Sequence, residues 1–302
     1  MAKKLIYNIG INAGFFSEVN SMLIARLYCY DKGIDFSLYS KKSNFRFDKG
    51  WEDYFEPFCE TATAEINRYI NFDRYKTKPK TAKQQLLKAW KSSYKLTHPN
   101  VLLTEDIWIK IRSLDFVSKK FNLPVLHADK GDIFFMLRII LKQIWVYNTF
   151  VKNYLKTEMS RLLPPGDFCS IHIRRGDKVK ESVFQPLSDY VEALPQLTEV
   201  HHIYVATDDY TVVEELRSLY PTINFFTNCP LDNRGYQQWT FNNLSSDKIK
   251  TDILNLLLDV EMIKASKHFS GTMSSNVGLF LALYKNIEEC SYIDTFNRCF
   301  IN

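Results

Sequence analysis

Residues 168–178, FCSIHIRRGDK, restrict the fold of this chain more than any other segment. Phe168 to Ile173 is apolar or small except for one serine and one histidine, and it follows two prolines and a glycine. This pattern indicates a buried strand. Two arginines come directly after it, at the position where strands of open α/β sheets present their ligands. Two guanidinium groups at a strand end predict a site for a multiply charged anion.

The composition is that of a folded chain, and it excludes several classes of protein. Its 302 residues suffice for two domains, and 46% hydrophobic residues can fill a sizeable core. The net charge of +5 is mild and scattered along the chain, so we expect no nucleic-acid partner. Six cysteines without a CxxC pair give no zinc pattern, and they favour a reducing compartment.

The sequence predicts no transmembrane segment. Its most apolar run, residues 134–146, includes Arg138, Lys142 and Gln143, and it is too short to cross a bilayer. We expect a core helix there, with peripheral association at a membrane surface as the alternative. The N-terminus enters a strand directly and has no signal-peptide-like apolar region.

The first part of the chain, residues 1–162, predicts an N-terminal open α/β domain. An apolar strand at 4–9 precedes a helix that we expect Ser17 to cap, and we expect this helix to run to about Lys32 and to end at Gly33. Gly14 lies in the turn before this helix, where a glycine lets a ligand approach the backbone and the helix N–H groups. The turn lacks GxGxxG spacing, so a plain tight turn is the alternative.

The remaining elements of this domain follow from apolar periodicity and turn signals. We expect a strand at 34–39, helices near 81–92 and 104–113, and either one long helix or two in tandem at 132–162. Four aromatic residues either belong to the core or line a sugar-binding cleft: Trp51, Tyr54, Phe55 and Phe58.

The second part, residues 163–302, alternates strands and helices and predicts a parallel sheet with right-handed crossovers. We expect strands at 168–173, 202–206, 223–226 and 268–270, and helices at 211–219, 250–264 and 276–284. Thr211 and Glu214 have the spacing of a capping box. A polar loop is expected at 228–246.

Polar clusters follow three of these strands. They are Arg174, Arg175, Asp177 and Lys178; Thr207, Asp208 and Asp209; and Thr272, Ser274, Ser275 and Asn276. Because the carboxyl ends of parallel strands meet at one edge, we expect the clusters to lie close together. The third cluster begins a helix, whose free N–H groups suit a phosphate. Arginines and a helix start together predict a diphosphate ligand, such as a nucleotide-sugar, held without a metal.

Residues 172–178, the strand YVATDD ending at Asp209, Asp259 and the segment Ser274-Ser275-Asn276 occur in the order seen in GDP-fucose-dependent fucosyltransferases. The chain most resembles the α1,6-fucosyltransferases that modify chitin oligosaccharides and N-glycan cores. The α1,2- and protein O-fucosyltransferases are broader relatives that share the arginine motif. The match covers roughly residues 145–285. The resemblance implies a GT-B-like fold: two facing Rossmann-type domains, with GDP held by the C-terminal one.

The resemblance also implies roles for individual residues. His172 and Asp259 would contact the guanine or ribose, Arg174 would hold the β-phosphate, and Arg175 would belong to the same donor site. Ser275 and Asn276 would bind the diphosphate, whereas Ser274 is either a ligand or a helix cap. Further donor-side residues, by position in the family pattern, are Asp208, Asp209 and Tyr190, and the glycine turn of the first domain adds Gly14 as a candidate.

The residue types suit displacement at an anomeric carbon. Negative charge grows on the departing diphosphate, and fixed guanidinium groups stabilise that charge most in the transition state. The acceptor hydroxyl benefits from a general base. Glu181 matches the family's base, with Lys178 near it, and Asp177 is the alternative.

Two alternatives compete with the donor-site interpretation. The arginines could form a structural ion network with Asp208 and Asp209. The two aspartates could bind a metal, but they lack DxD spacing, so we expect no metal cofactor.

The sequence therefore predicts an inverting, metal-independent fucosyltransferase that uses GDP-fucose and a glycan acceptor. The alternatives are another GT-B glycosyltransferase with a different nucleotide-sugar, or a non-catalytic glycan- or nucleotide-binding protein. Golgi enzymes of this family carry a long N-terminal stem and anchor that this chain lacks, so we expect a cytoplasmic enzyme in a bacterial or viral setting.

Overall fold

A computed structural model describes residues 3–72, 74, 81–176, 184–195 and 201–294. The chain forms two compact units, one ending at Asn148 and the other beginning at Thr149. The domain boundary predicted after residue 162 stays a prediction, and the helix Thr149–Leu162 belongs to the second unit.

The first unit is built on a parallel sheet of four strands. These are β1 (Lys4–Asn8), β2 (Asp35–Tyr39), β3 (Glu60–Thr61) and β4 (Val101–Leu103), in the spatial order β3-β2-β1-β4. A separate antiparallel pair consists of β5 (Phe121–Leu123) and β6 (Ala128–Gly131). The helices are α1 (Phe15–Lys32), α2 (Asn67–Ile70), α3 (Ala82–Thr97), α4 (Thr104–Ile107), α5 (Leu114–Val117) and α6 (Ile133–Ile144). Short 3₁₀ turns occur at Trp51–Asp53, Lys110–Arg112 and Pro124–Leu126.

The start of α1 differs from the prediction, whereas its end agrees. Gly14 is the N-cap and the helix begins at Phe15, so the expected start at Ser17 was wrong. The Ser17 hydroxyl makes no cap, and its carbonyl accepts a hydrogen bond from Ser21 inside the helix. Gly33 ends the helix with φ 60°, a left-handed conformation that favours glycine.

Two further predictions for the first unit are decided by the structure. The segment predicted as one or two helices at 132–162 is two, because the chain leaves the helical path between Ile144 and Thr149. Trp51, Tyr54 and Phe55 are at most 1% exposed, and the rings of Trp51 and Phe55 stack 4.2 Å apart. These residues are therefore core aromatics and do not line an open sugar-binding cleft.

The second unit is built on a five-stranded parallel sheet, as the alternating pattern predicted. Its strands are β7 (Cys169–Ile173), β8 (His202–Thr207), β9 (Asn224–Phe226), β10 (Phe269–Gly271) and β11 (Cys290–Tyr292), in the order β11-β10-β7-β8-β9. The helices are α7 (Thr149–Leu162), α8 (Leu187–Glu192), α9 (Thr211–Leu219), α10 (Gln238–Phe241), α11 (Ser246–Ala265) and α12 (Asn276–Tyr284), and a 3₁₀ turn covers Ile287–Glu289.

The central strand β7 is buried along its whole length, with no residue more than 8% exposed. Neighbouring strands flank it on both sides, and helix α11 packs against it. Burial on both faces explains why the sequence of this strand is a nearly continuous apolar run. The run ends where the chain reaches Arg174 at the edge of the sheet.

Helix α9 begins at the predicted residue but is capped differently. Thr211 is its first residue, and both its N–H and its hydroxyl donate to Oδ1 of Asp209, at 3.0 and 2.8 Å. The predicted capping box between Thr211 and Glu214 was therefore wrong. Among the residues that the structure describes, no helix combines the length and apolarity that crossing a bilayer requires.

Candidate active site

The three polar clusters predicted from the sequence lie at the carboxyl ends of adjacent strands. Strand β7 pairs with β8 on one side and with β10 on the other. Ile173, the last residue of β7, lies opposite Thr207, the last residue of β8. The described parts of the clusters therefore share one edge of the sheet, which is where open α/β proteins bind their ligands.

Asp208 joins two loops at this edge. Its Oδ1 accepts the backbone N–H of Arg175 at 2.8 Å, and its Oδ2 accepts the backbone N–H of Tyr236 at 3.0 Å. Its own carbonyl accepts the N–H of Gly235 at 2.8 Å. Burial raises the pKa of Asp208, while the two backbone N–H groups and the charge of Arg174 oppose that rise. Asp208 thus fixes the main chain of residues 174–176, which we call the arginine loop.

Two glycines allow these loops to touch. Gly176 has φ +35° and Gly235 has φ +99°, conformations that residues with a Cβ rarely adopt. A Cβ on Gly235 would lie 2.7 Å from Cα of Gly176, and a Cβ on Gly176 would lie 2.2 Å from the carbonyl oxygen of Tyr236. The backbone of residues 233–236 is therefore in direct contact with the backbone of the arginine loop.

Both arginines lie against aromatic rings. The guanidinium carbon of Arg174 is 5.0 Å from the ring centre of Tyr236, and that of Arg175 is 4.5 Å from the ring centre of Phe184. Such cation–π contacts orient a guanidinium while leaving its N–H edge available to a planar anion. Tyr236 was not predicted as a site residue, because the polar loop that contains it has no periodic pattern.

The remaining predicted residues of β7 and α8 are buried. His172 is 8% exposed, and Tyr190 on α8 is 4% exposed. Burial raises the pKa of Tyr190 to about 12, and the charge of Arg175 acts against this rise. Tyr190 is therefore a neutral phenol near Arg175 at physiological pH.

Asp209 has a structural partner that the sequence did not suggest. Its carboxylate binds Thr211 at the start of α9, and its backbone N–H donates to the hydroxyl of Thr207 at 3.2 Å. Its backbone also forms an isolated antiparallel β-bridge with the backbone of Arg234. The observed side-chain contacts of Asp209 thus support the helix start, and its role in the donor site stays a prediction.

The start of helix α12 is organised by Ser275 and Asp294. Ser275 is the N-cap: its hydroxyl accepts the N–H of Gly278 at 2.8 Å and donates to the carbonyl of Thr272 at 3.0 Å. The alternative that Ser274 caps this helix was wrong, because Ser275 occupies the N-cap position. The carboxylate of Asp294 accepts the N–H groups of Met273 and Ser274, at 2.6 and 2.9 Å, and Asp294 had no signal in the sequence. Asn276 is the first helical residue, as predicted.

Asp259 lies on α11 beside the sheet and is paired with Tyr204 of β8. The Tyr204 hydroxyl donates to Oδ1 of Asp259 at 2.5 Å. Burial raises the pKa of Asp259 to about 7, and the hydrogen bond from Tyr204 only partly offsets that effect. An aspartate that titrates near neutral pH within the sheet-facing side of a helix is a candidate for a functional group.

The first unit has a comparable turn after strand β1, in which the Glu18 carboxylate accepts hydrogen bonds from two backbone N–H groups of the turn. Glu18 is fully buried and accepts the N–H of Gly10 at 2.8 Å and that of Ala13 at 3.2 Å. It also forms an ion pair with Arg74. Gly14 caps α1 directly after this turn. The predicted donor contact of Gly14 stays a prediction, and Glu18 had no signal in the sequence.

Three predicted catalytic residues, Asp177, Lys178 and Glu181, lie outside the described residues. Within the described ranges, His, Cys, Asp and Glu side chains form no group of three that could hold a metal ion. The site that the structure does describe therefore consists of the arginine loop, residues 207–209 at the end of β8, the start of α12 and the Tyr204–Asp259 pair.

Two units with parallel sheets and a polar strand-end site are features of GT-B-like α/β proteins, and the solved structures similar to this chain have that fold. The crystal structure of NodZ α-1,6-fucosyltransferase soaked with GDP-fucose has a TM-score of 0.57 at 12% identity, covering 94% of this chain and 93% of its own. NodZ from Bradyrhizobium was also matched, at a TM-score of 0.56. POFUT1 in complex with GDP-fucose has a TM-score of 0.53 at 11% identity, covering 93% of each chain.

The family described as "Alpha-(1,6)-fucosyltransferase N- and catalytic domains" matches residues 1–280, and this chain belongs to that family. An α-(1,6)-fucosyltransferase of Drosophila melanogaster is 23% identical to it over 291 residues, or 91% of this chain. The chain spans 42% of the length of that curated relative. The fold and family predicted from the sequence are confirmed.

Proposed function

We propose that this chain transfers L-fucose from GDP-fucose to a hydroxyl of a glycan acceptor, with inversion at the anomeric carbon and without a metal ion. The observation that carries the proposal is the position of Arg174 at the end of β7. The backbone N–H of the next residue, Arg175, donates to Oδ1 of Asp208 at 2.8 Å and so fixes the chain there. The similar NodZ structure was soaked with GDP-fucose and the similar POFUT1 structure is a complex with GDP-fucose, and membership of the family supports the same donor here.

The guanidinium of Arg174 would receive the β-phosphate. During transfer, the acceptor oxygen forms a bond to the fucose anomeric carbon while the bond from that carbon to the phosphate oxygen breaks. The electron pair of the broken bond goes to GDP. A fixed guanidinium stabilises the charge that develops there without reorganising. Attack from the face opposite the leaving group inverts the configuration and gives an α-fucoside.

The start of α12 would contribute to the same diphosphate site. Its strand, β10, is the direct neighbour of β7, so the helix N-terminus and the arginine loop share one sheet edge. The positive end of the helix dipole favours an anion. We place Ser274, Ser275 and Asn276 there, with the main-chain N–H groups of Ser275 and Asn276 as donors, since the Ser275 hydroxyl already binds Thr272 and Gly278 and the N–H of Ser274 binds Asp294.

The acceptor proton needs a base, and the guanosine part needs its own contacts. We propose Glu181 as the base, with Lys178 near it and Asp177 as the alternative. His172 and Asp259 are proposed to contact the guanosine part of the donor. We propose that the acceptor binds to the first domain.

The proposal is tested by incubating the protein with GDP-fucose and a panel of glycan acceptors and measuring GDP release and the linkage formed. Arg174→Ala should reduce turnover by about a hundredfold or more. Arg161→Ala is the matched control, because Arg161 is an exposed arginine of the same unit, paired with Glu158. Turnover should persist in EDTA. Stabilisation by UDP but not by GDP would contradict the donor, and full activity of Arg174→Ala would contradict the site.

A further inference from the structure

Residues 233–236 form a loop that is hydrogen-bonded to the end of strand β8, and the last of them, Tyr236, contacts Arg174. The N–H of Tyr210 donates to the carbonyl of Asn233 at 3.0 Å, and Gly235 donates to the carbonyl of Asp208. The N–H of Tyr236 donates to the Asp208 carboxylate. These bonds join residues that are 23 to 28 positions apart in sequence, so the loop is part of the sheet edge and its position is set by Asp208.

The ring of Tyr236 is held independently of Arg174. Its hydroxyl donates to Oε1 of Gln238 at 2.9 Å, and its ring centre lies 5.6 Å from that of Phe241, a buried residue of α10. The backbone N–H is bound to Asp208. With its main chain, hydroxyl and ring each in contact with a neighbour, Tyr236 presents a preformed aromatic surface to the guanidinium 5.0 Å away.

We infer that Tyr236 is a positioning residue of the diphosphate site: its ring holds the guanidinium of Arg174 in the orientation that receives the β-phosphate. The inference rests on the proposed function. An arginine side chain has many rotamers, and ordering it on ligand binding costs free energy. A ring that orders it beforehand removes part of that cost, and a contact on the face of a guanidinium does not itself use the N–H groups.

Asp208 fixes both partners of this contact. Its carboxylate accepts the backbone N–H of Arg175, the residue after Arg174, and the backbone N–H of Tyr236. The charge of Arg174 opposes the rise that burial causes in the pKa of Asp208. One side chain thus holds the arginine and the aromatic ring at the same edge of the sheet.

The experiment compares GDP with guanosine, because only GDP has the phosphates that Arg174 would bind. Calorimetric titrations of both ligands are carried out on the wild type, Tyr236→Leu, Tyr236→Phe and Arg174→Ala. Trp239→Leu is the matched control: it removes an aromatic ring from the same region of the chain, but one that is 80% exposed. Thermal melting of each variant reports on folding.

Tyr236→Leu should weaken GDP about tenfold, as expected for loss of a partly desolvated cation–π contact, and should leave guanosine affinity within about twofold. Tyr236→Phe should restore GDP affinity to within about threefold of the wild type, since it keeps the ring and loses only the hydrogen bond to Gln238. Trp239→Leu should bind both ligands as the wild type does.

If the wild type binds GDP and Arg174→Ala does not, three results would overturn the inference and leave the proposed donor site intact. The first is that Tyr236→Leu binds GDP as tightly as the wild type. The others are that Tyr236→Leu loses as much affinity for guanosine as for GDP, or that Tyr236→Phe loses as much GDP affinity as Tyr236→Leu. The equal loss for guanosine would mean that Tyr236 only supports the fold. If the wild type fails to bind GDP, or if Arg174→Ala binds it normally, the proposed donor site itself is wrong and the inference falls with it.

Discussion

The hydroxyl of Tyr204 donates a 2.5 Å hydrogen bond to Oδ1 of Asp259, and so joins the central part of strand β8 to helix α11. Tyr204 is fully buried, and its burial and the neighbouring carboxylate raise its pKa well above the usual value. The tyrosine therefore keeps its proton at neutral pH and donates to the ionised carboxylate. Asp259 is the member of the pair whose charge changes near neutral pH.

This pair predicts a pH dependence of stability. The pKa of Asp259 is about 7 in the folded protein and about 3.9 in an unfolded chain, so the folded state binds more protons between these values. The contribution of Asp259 is fully present below about pH 4 and is lost as the pH rises through 7. Asp259→Asn should remove this dependence, and urea unfolding from pH 4 to 8 measures it. An identical pH profile in the variant would contradict the assignment.

Asp208→Asn should destabilise the strand-end loops. The amide can accept at only one of its two atoms, so one of the N–H groups of Arg175 and Tyr236 would face an N–H₂ group. We expect a loss of about 1–3 kcal/mol in unfolding free energy and weaker GDP binding.

Asp209→Asn is the control for the stability effect of Asp208→Asn, since both hydrogen bonds from Thr211 go to Oδ1 of Asp209 and an amide oxygen can replace that atom. Chemical unfolding compares the two variants, and GDP titration compares Asp208→Asn with the wild type. Equal effects would contradict the special role of Asp208.

Gly235→Ala should be more harmful than Gly166→Ala, although both residues have nearly the same φ. Their φ values are +99° and +96°, so the strain of adding a Cβ, about 1–2 kcal/mol, is shared. Only at Gly235 would the new Cβ meet backbone, at 2.7 Å from Gly176 Cα, whereas nothing lies within 4 Å at Gly166.

We therefore expect Gly235→Ala to lose about 2 kcal/mol more than Gly166→Ala in urea unfolding, together with GDP affinity. If the two alanine variants unfold at the same urea concentration, the close packing of the two loops is wrong.

In the first unit, Glu18→Gln should be strongly destabilising. Glu18 is fully buried, pairs with Arg74, and binds two backbone N–H groups. Removing one charge of a buried pair leaves the other uncompensated and costs about 3–5 kcal/mol.

Glu60→Gln is the comparison for Glu18→Gln, because Glu60 pairs with Lys4 at an exposed position. We expect it to cost less than about 1 kcal/mol. Denaturant titration of both variants tests the contrast, and a Glu18→Gln midpoint equal to that of Glu60→Gln would refute it.

The sequence predicted well those elements whose signal is local. The run that forms β7 is apolar because both faces of the sheet are covered, and this leaves a readable pattern. The bounds of α9 and the left-handed end of α1 at Gly33 follow from similar local rules. The start of α1 and the cap of α12 were misplaced because several serines and glycines stand side by side and each can cap a helix.

By itself, the sequence determined the parallel sheet of the second unit, the meeting of three polar clusters at its edge, and the family. Only the tertiary structure decided which groups those polar residues bind. Asp208 binds the backbone of Arg175 and Tyr236, and Asp294 binds the loop before α12. The physical reason is that hydrophobic burial imposes a period on the chain, whereas a hydrogen bond between distant loops imposes none. Its partners are fixed only when folding brings the strand ends together.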